Sequence, residues 1–139
     1  MTEADLRQIE ARLGFPLPGA FRLTALSYPF SPDSFAEEFM LPSQPSEVID
    51  MNEAGLPVVG IDRPFFVGSD GGEERYFVDA SNAESPVYVY ELETGRHRVL
   101  VDSWEKYMDH IRATLAEIAA DEERERQRKL TKRWWQFWR

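Results

Sequence analysis

The sequence predicts an α+β fold, an antiparallel β-sheet meander flanked by N-terminal helices and a long C-terminal helix. Three observations predict it. Apolar residues recur at helical spacing near the start of the chain and again over residues 104–118, whereas residues 57–101 hold short runs of β-branched and aromatic residues. Turn chemistry separates those runs at Ser69-Asp70-Gly71-Gly72, Ser81-Asn82 and Thr94-Gly95. Connections this short suit antiparallel neighbours, because parallel strands need long crossovers. Helices gathered at the ends with strands between them mark α+β rather than alternating α/β.

The first helix is expected from Thr2, an N-cap with Asp5 three residues on, and Leu6, Ile9 and Leu13 on one face. Gly14-Phe15-Pro16 stops it: glycine for a left-handed cap, proline to forbid continuation. A second short helix begins around Pro18 and carries Phe21, Leu23, Ala25 and Leu26. After the loop Tyr28–Pro32, the residues Phe35, Phe39 and Leu41 read as a short strand, ended by Pro42 and Pro45. Ser46–Asn52 reads as one or two helical turns. Five strands follow at Pro57–Ile61, Phe65–Gly68, Arg75–Asp79, Val87–Tyr90 and His97–Val101.

The last element is a long helix. Asp102 with Glu105 makes a capping box, and Trp104, Tyr107, Met108, Ile111, Leu115 and Ile118 form a sheet-facing stripe. Beyond Ala120 the stripe ends, and DEERERQRK is charged all round, with Glu122–Arg126 and Glu125–Lys129 at i,i+4 spacing. A solvated helix extending past the domain is expected. The organisation is therefore one domain over residues 1–120 and a charged helical extension over 121–139 with a basic, Trp-rich amphipathic end.

Composition excludes several function classes. The chain has 139 residues, 42% hydrophobic and 13% aromatic, too rich in apolar side chains for a disordered protein. With no cysteine there is no disulfide scaffold, thiol nucleophile or zinc–thiolate site. The net charge of −9 has the wrong sign for a general nucleic-acid binder. That charge is unevenly spread: residues 1–120 carry 21 acidic and 9 basic residues, and residues 121–139 carry 4 acidic and 7 basic. The N-terminus MTEADLRQIE has no apolar segment of the secretory kind and no run of about 18 apolar residues occurs, so a cytoplasmic location is expected.

Several landmarks in consistent order resemble the SUKH superfamily, the Smi/Knr-like domains. They are LGFPLP at Leu13–Pro18, MLPS at Met40–Ser43, VGSDGGEERYFVDAS at Val67–Ser81, SPVYVYELETG at Ser85–Gly95 and VDSWEKYM at Val101–Met108. The likeness covers roughly residues 3–118. Where such domains often carry an Asn-Gly-Gly turn, this chain has Leu26-Ser27-Tyr28-Pro29, and the end from Arg124 to Arg139 lies outside the likeness. The resemblance implies a binding fold. Bacterial members look like immunity proteins that neutralise polymorphic toxins, and fungal members are linked to cell-wall regulation. It transfers no catalytic residue.

Chemical motifs are weak. The Gly68–Gly72 loop lacks the lysine of a phosphate cradle and is followed by Glu73 and Glu74, which would repel phosphate. Asp70, Glu73, Glu74 and Asp79 do not have the alternating spacing of a calcium loop. His97 and His110 have no serine–acid partner in a recognisable motif and read as structural. No catalytic site, metal or cofactor is expected.

Two features invite partners. The acidic body would be steered toward a basic surface such as that of a nucleic-acid-cutting toxin, with Asp70, Glu73, Glu74, Glu91 and Glu93 as contacts on exposed loops. The alternative to that partner is plain solubility. The second feature is LTKRWWQFWR, which places Leu130, Trp134, Trp135, Phe137 and Trp138 within about 160° of one helical face, opposite Lys132, Arg133, Gln136 and Arg139. Its own domain, a second copy, a membrane surface at residues 130–139 or a groove on a protein would each cover that face. The expected function is a non-enzymatic immunity module that occludes a cognate toxin, the oligomeric state remaining open. The alternative is a peripheral scaffold or regulator anchored to a membrane or assembly through its Trp-rich end.

Overall fold

The computed structural model describes residues 1–137. Helix α1 (Glu3–Leu13) starts on a reciprocal capping box: the Asp5 N–H donates to Thr2 Oγ1 at 3.2 Å, and the Thr2 N–H donates to Asp5 Oδ2 at 2.8 Å. That second bond holds the Asp5 carboxyl below its ordinary range. Gly14, at φ 83°, closes the helix in the left-handed conformation. Helix α2 (Gly19–Leu26) follows Pro18 and buries Phe21 and Ala25, while Leu23 is 72% exposed. Arg22 ties the two helices, meeting Glu3 at 2.7 Å and Glu10 at 2.8 Å.

The strand expected at Phe35, Phe39 and Leu41 is instead a single π-helical turn, Ala36–Met40, closed by the Leu41 N–H on the Ala36 carbonyl at 2.7 Å. Ser34 explains the difference. Its hydroxyl accepts from the Glu37 N–H and its carbonyl from the Glu38 N–H, which nucleates a helical turn. Phe35 and Phe39 are one such turn apart and their rings meet at 5.0 Å. Helix α3 (Pro45–Glu53), longer than the one or two turns expected at Ser46–Asn52, buries Val48 and Ile49.

Four strands, β1 (Pro64–Ser69), β2 (Glu74–Asp79), β3 (Val87–Glu91) and β4 (His97–Val101), form an antiparallel sheet in the order β1-β2-β3-β4. The fifth expected strand, Pro57–Ile61, is a turn-containing loop. Its Leu56, Val58 and Ile61 pack with Met51 against Phe66, Phe77 and Tyr90 on one face of the sheet. On the opposite face lie Phe65, Tyr76 and their neighbours; Phe21 meets Phe65 edge-on at 4.9 Å and Tyr107 meets Tyr76 at 5.5 Å. Covering both faces explains why β1 and β2 are buried almost throughout rather than alternately.

Helix α4 (Trp104–Phe137) is capped by Ser103, whose hydroxyl accepts from the Lys106 N–H at 3.2 Å. Asp102, the expected cap, pairs instead with the Lys106 ammonium at 2.9 Å. The Trp104 indole donates to Thr24 Oγ1 at 2.9 Å. The chain divides into two compact units, residues 1–107 and 108–139. Within the second, Met108 and Ile111 are buried, Leu115 and Ile118 half-buried, and residues 119–137 exposed. Its ion pairs run at i,i+3, through Asp109–Arg112, Asp121–Arg124, Glu123–Arg126 and Glu125–Arg128, in place of the expected Glu122–Arg126 and Glu125–Lys129.

Candidate functional site

Strand direction reverses at each step of a meander, so the β1–β2 and β3–β4 turns emerge at the same end of the sheet. Register makes this concrete. Glu74 stands opposite Glu91, and the Leu92 N–H donates to the Glu73 carbonyl at 2.9 Å. Asp70, Glu73, Glu74, Glu91 and Glu93, two separate loops in the sequence, are thus neighbours at one sheet end.

Their side chains do different work. Asp70 Oδ1 accepts from the N–H groups of Gly72 at 2.8 Å and Glu74 at 3.1 Å, so this carboxylate builds the turn. Glu91 accepts from the Thr94 hydroxyl at 3.0 Å within the second turn. Glu74 lies 3.8 Å from the Arg98 guanidinium. Glu73 and Glu93 are exposed, and their carboxylates take no hydrogen bond or ion pair among the described residues. Arg75, Arg96 and Arg98 share this end, but the Arg75 guanidinium is spent on the backbone carbonyls of Gly72 at 2.6 Å and Glu74 at 3.0 Å. Nearby Tyr76 feels the balance. Burial, then the Asp70 and Glu74 charges, push its hydroxyl up to about 12 against the opposing pull of Arg98.

A second acidic region escapes sequence reading. Asp33, Glu37, Glu38 and Glu47 line an open recess beside the π-turn. The Glu37 carboxylate is again structural, accepting from the Asp33 N–H at 2.7 Å and from Ser43 Oγ at 3.1 Å. Burial, with Glu37 and Glu47 adding to it, raises the Tyr28 hydroxyl well above its ordinary value. Reading residues 35–41 as a strand sends Glu37 and Glu38 to opposite faces; only the helical turn gathers them. Such carboxylates accept hydrogen bonds from a guanidinium or ammonium. Among the described residues no three His, Asp or Glu side chains are grouped to hold a metal.

Asp79 sits at the other end of β2. Burial opposes its charge, but the Ser81 hydroxyl and N–H, with Arg63, outweigh that and hold the carboxyl below its ordinary range. His97 lies edge-on to the Phe77 and Tyr88 rings, 5.8 Å from each. His110 is half-buried on α4, its carbonyl accepting from the Thr114 hydroxyl at 3.0 Å. The predicted aromatic face is exposed at Leu130, Trp134, Trp135 and Phe137, and Trp134 and Trp135 meet edge-to-face at 6.2 Å. Trp138 lies outside the described residues. Comparison with protein-family profiles, curated proteins and solved structures returns no match.

Proposed function

We propose that this chain is a non-enzymatic binding module of the immunity type, which neutralises a bacterial toxin by covering its functional surface. The observation that carries the reading is the Leu92–Glu73 hydrogen bond. It sets two acidic turns side by side and leaves Glu73 and Glu93 open to solvent. Carboxylates presented on short turns at the end of a packed sheet are pre-organised, so little ordering entropy is lost when a basic partner docks. The acidic body raises the rate of such encounters by steering. The ordered SUKH-like landmarks support the same reading and direct it toward a toxin encoded beside the chain.

Co-expression with that neighbouring toxin tests it. Rescue of growth and a stable 1:1 complex are expected, and Glu73→Lys with Glu93→Lys weakens both. A chain that neither protects against nor binds the toxin overturns the proposal. Protection without binding, or protection that depends on turnover, would replace it with an enzyme.

A further inference from the structure

We propose that the end of α4 is an interfacial helix that docks this chain on an anionic lipid surface. The docking face lies within residues 126–137, apart from the acidic turns of the sheet.

The aromatic face adjoins the apolar stripe of Met108, Ile111, Leu115 and Ile118 but is centred to one side of it. At 100° per residue, Met108, Ile111, Leu115 and Ile118 centre on one side of α4, and Leu130, Trp134, Trp135 and Phe137 centre about 110° away. Leu130 is 53% exposed and Phe137 84% exposed, in a sector about 160° wide. That is broader than the narrow seam with which a helix fills a groove or pairs in a coiled coil. It suits a helix lying flat, with its apolar half sunk among acyl chains. Tryptophan favours that boundary, since its ring is apolar and its N–H seeks a polar partner.

Charge chooses the occupant. After Glu125 the sequence has no carboxylate side chain, and Arg126 and Arg128 are paired back to Glu123 and Glu125. Lys129, Lys132 and Arg133 are exposed and make no ion pair among the described residues. They occupy the side of the helix opposite the aromatics and, with Arg126, Leu130 and Gln136, line one open recess. Cations above an apolar face match lipid phosphates above acyl chains. Helix α4 is long, yet no described helix is apolar enough over its length to cross a membrane, so it lies on the surface. The remaining chain is acidic and is repelled by the same lipid, leaving this end as the point of attachment.

The test uses the full chain with vesicles of phosphatidylcholine alone and of phosphatidylcholine containing phosphatidylglycerol. Co-sedimentation is expected with the anionic vesicles only, and it falls as salt is raised. Lys132→Glu with Arg133→Glu weakens it at least about tenfold. Trp134→Ser with Trp135→Ser abolishes it while circular dichroism shows the helix retained. No sedimentation with anionic vesicles overturns the proposal, as does equal sedimentation with both lipids that ignores the charge variant. Self-association that disappears in the Trp variant, without lipid binding, would assign the face to a second copy instead.

Discussion

Gly68 lies against the carbonyl of Met40 so closely that a Cβ on Gly68 would stand 1.9 Å from that oxygen. The same carbonyl accepts the Tyr107 hydroxyl at 2.5 Å. One backbone oxygen at the end of the π-turn therefore fixes the approach of β1 and anchors the first turn of α4. The β1–β2 register shifts between Phe66 and Gly68, next to this contact. Because the obstacle is backbone, a side chain at position 68 cannot be accommodated by a rotamer change. Gly68→Ala is expected to cost about 3 kcal/mol and lower Tm by roughly 10 °C. A thermal melt that moves by less than a degree would show the approach to be slack.

Asn52 does for the outer edge of β1 what a neighbouring strand would do. Its amide oxygen accepts from the Phe66 N–H at 2.7 Å, and its amide nitrogen donates to the carbonyls of Phe66 and Val48, both at 2.9 Å. Asn52→Leu keeps the bulk and leaves the Phe66 groups without these bonds. A loss of about 2–3 kcal/mol in urea denaturation is expected. Asn52→Asp keeps only the acceptor and should not restore stability.

Alkali should destabilise the fold through its tyrosines. Tyr107 is fully buried and bonded to Met40, and burial raises its hydroxyl well above the ordinary value, with Tyr76 held at about 12. In the unfolded chain these groups ionise near pH 10. Their contribution is complete below that pH. It is lost as pH rises toward the folded values, since the unfolded chain then holds fewer protons. Denaturation midpoints should be flat to about pH 9 and fall above 10. Tyr107→Phe removes one proton's share of that slope, about 1.4 kcal/mol per pH unit, and costs about 1 kcal/mol at neutral pH for the lost hydrogen bond. An unchanged slope would place the alkaline loss elsewhere.

The acidic sheet end separates into a carboxylate that builds its turn, Asp70, and carboxylates open to solvent, Glu73 and Glu93. Asp70→Ala removes the acceptor for two turn N–H groups and should cost about 1–2 kcal/mol. Glu73→Lys with Glu93→Lys alters only exposed carboxylates and should stay within about 0.5 kcal/mol of the parent. In a stopped-flow measurement with the toxin proposed as partner, that reversal is expected to lower the association rate about tenfold at low salt and less at high salt. Equal rates would remove these turns from the interface.

How much of this was legible follows from how local each signal is. Thr2 and Asp5 sit three residues apart and Gly14 closes its own helix, so α1 could be read without its neighbours. The cap of α4 is one residue beyond the expected Asp102, because Asp102 and Ser103 are both capping types and only the geometry shows Asp102 holding Lys106. Asp70 is expected from sequence as a contact, and the structure shows its carboxylate fastening its own turn. The recess at Asp33, Glu37, Glu38 and Glu47 was invisible once residues 35–41 were read as extended.

The sequence by itself determined the α+β class, the four strands β1 to β4 among the five it predicted, and the long final helix with its basic aromatic end. Each rests on periodicity or turn chemistry within a few residues. Tertiary structure alone decided the fate of Pro57–Ile61 and the meeting of the two acidic turns. A strand exists only where an edge is free to pair with it. The outer edge of β1 is taken at Phe66 by the Asn52 amide, and the apolar side chains around Pro57–Ile61 cover a face of the sheet instead of extending it. The turns at Glu73 and Leu92 lie far enough apart along the chain that no local pattern relates them. Pairing of β2 with β3 joins them, through a hydrogen bond that exists only once the sheet has formed.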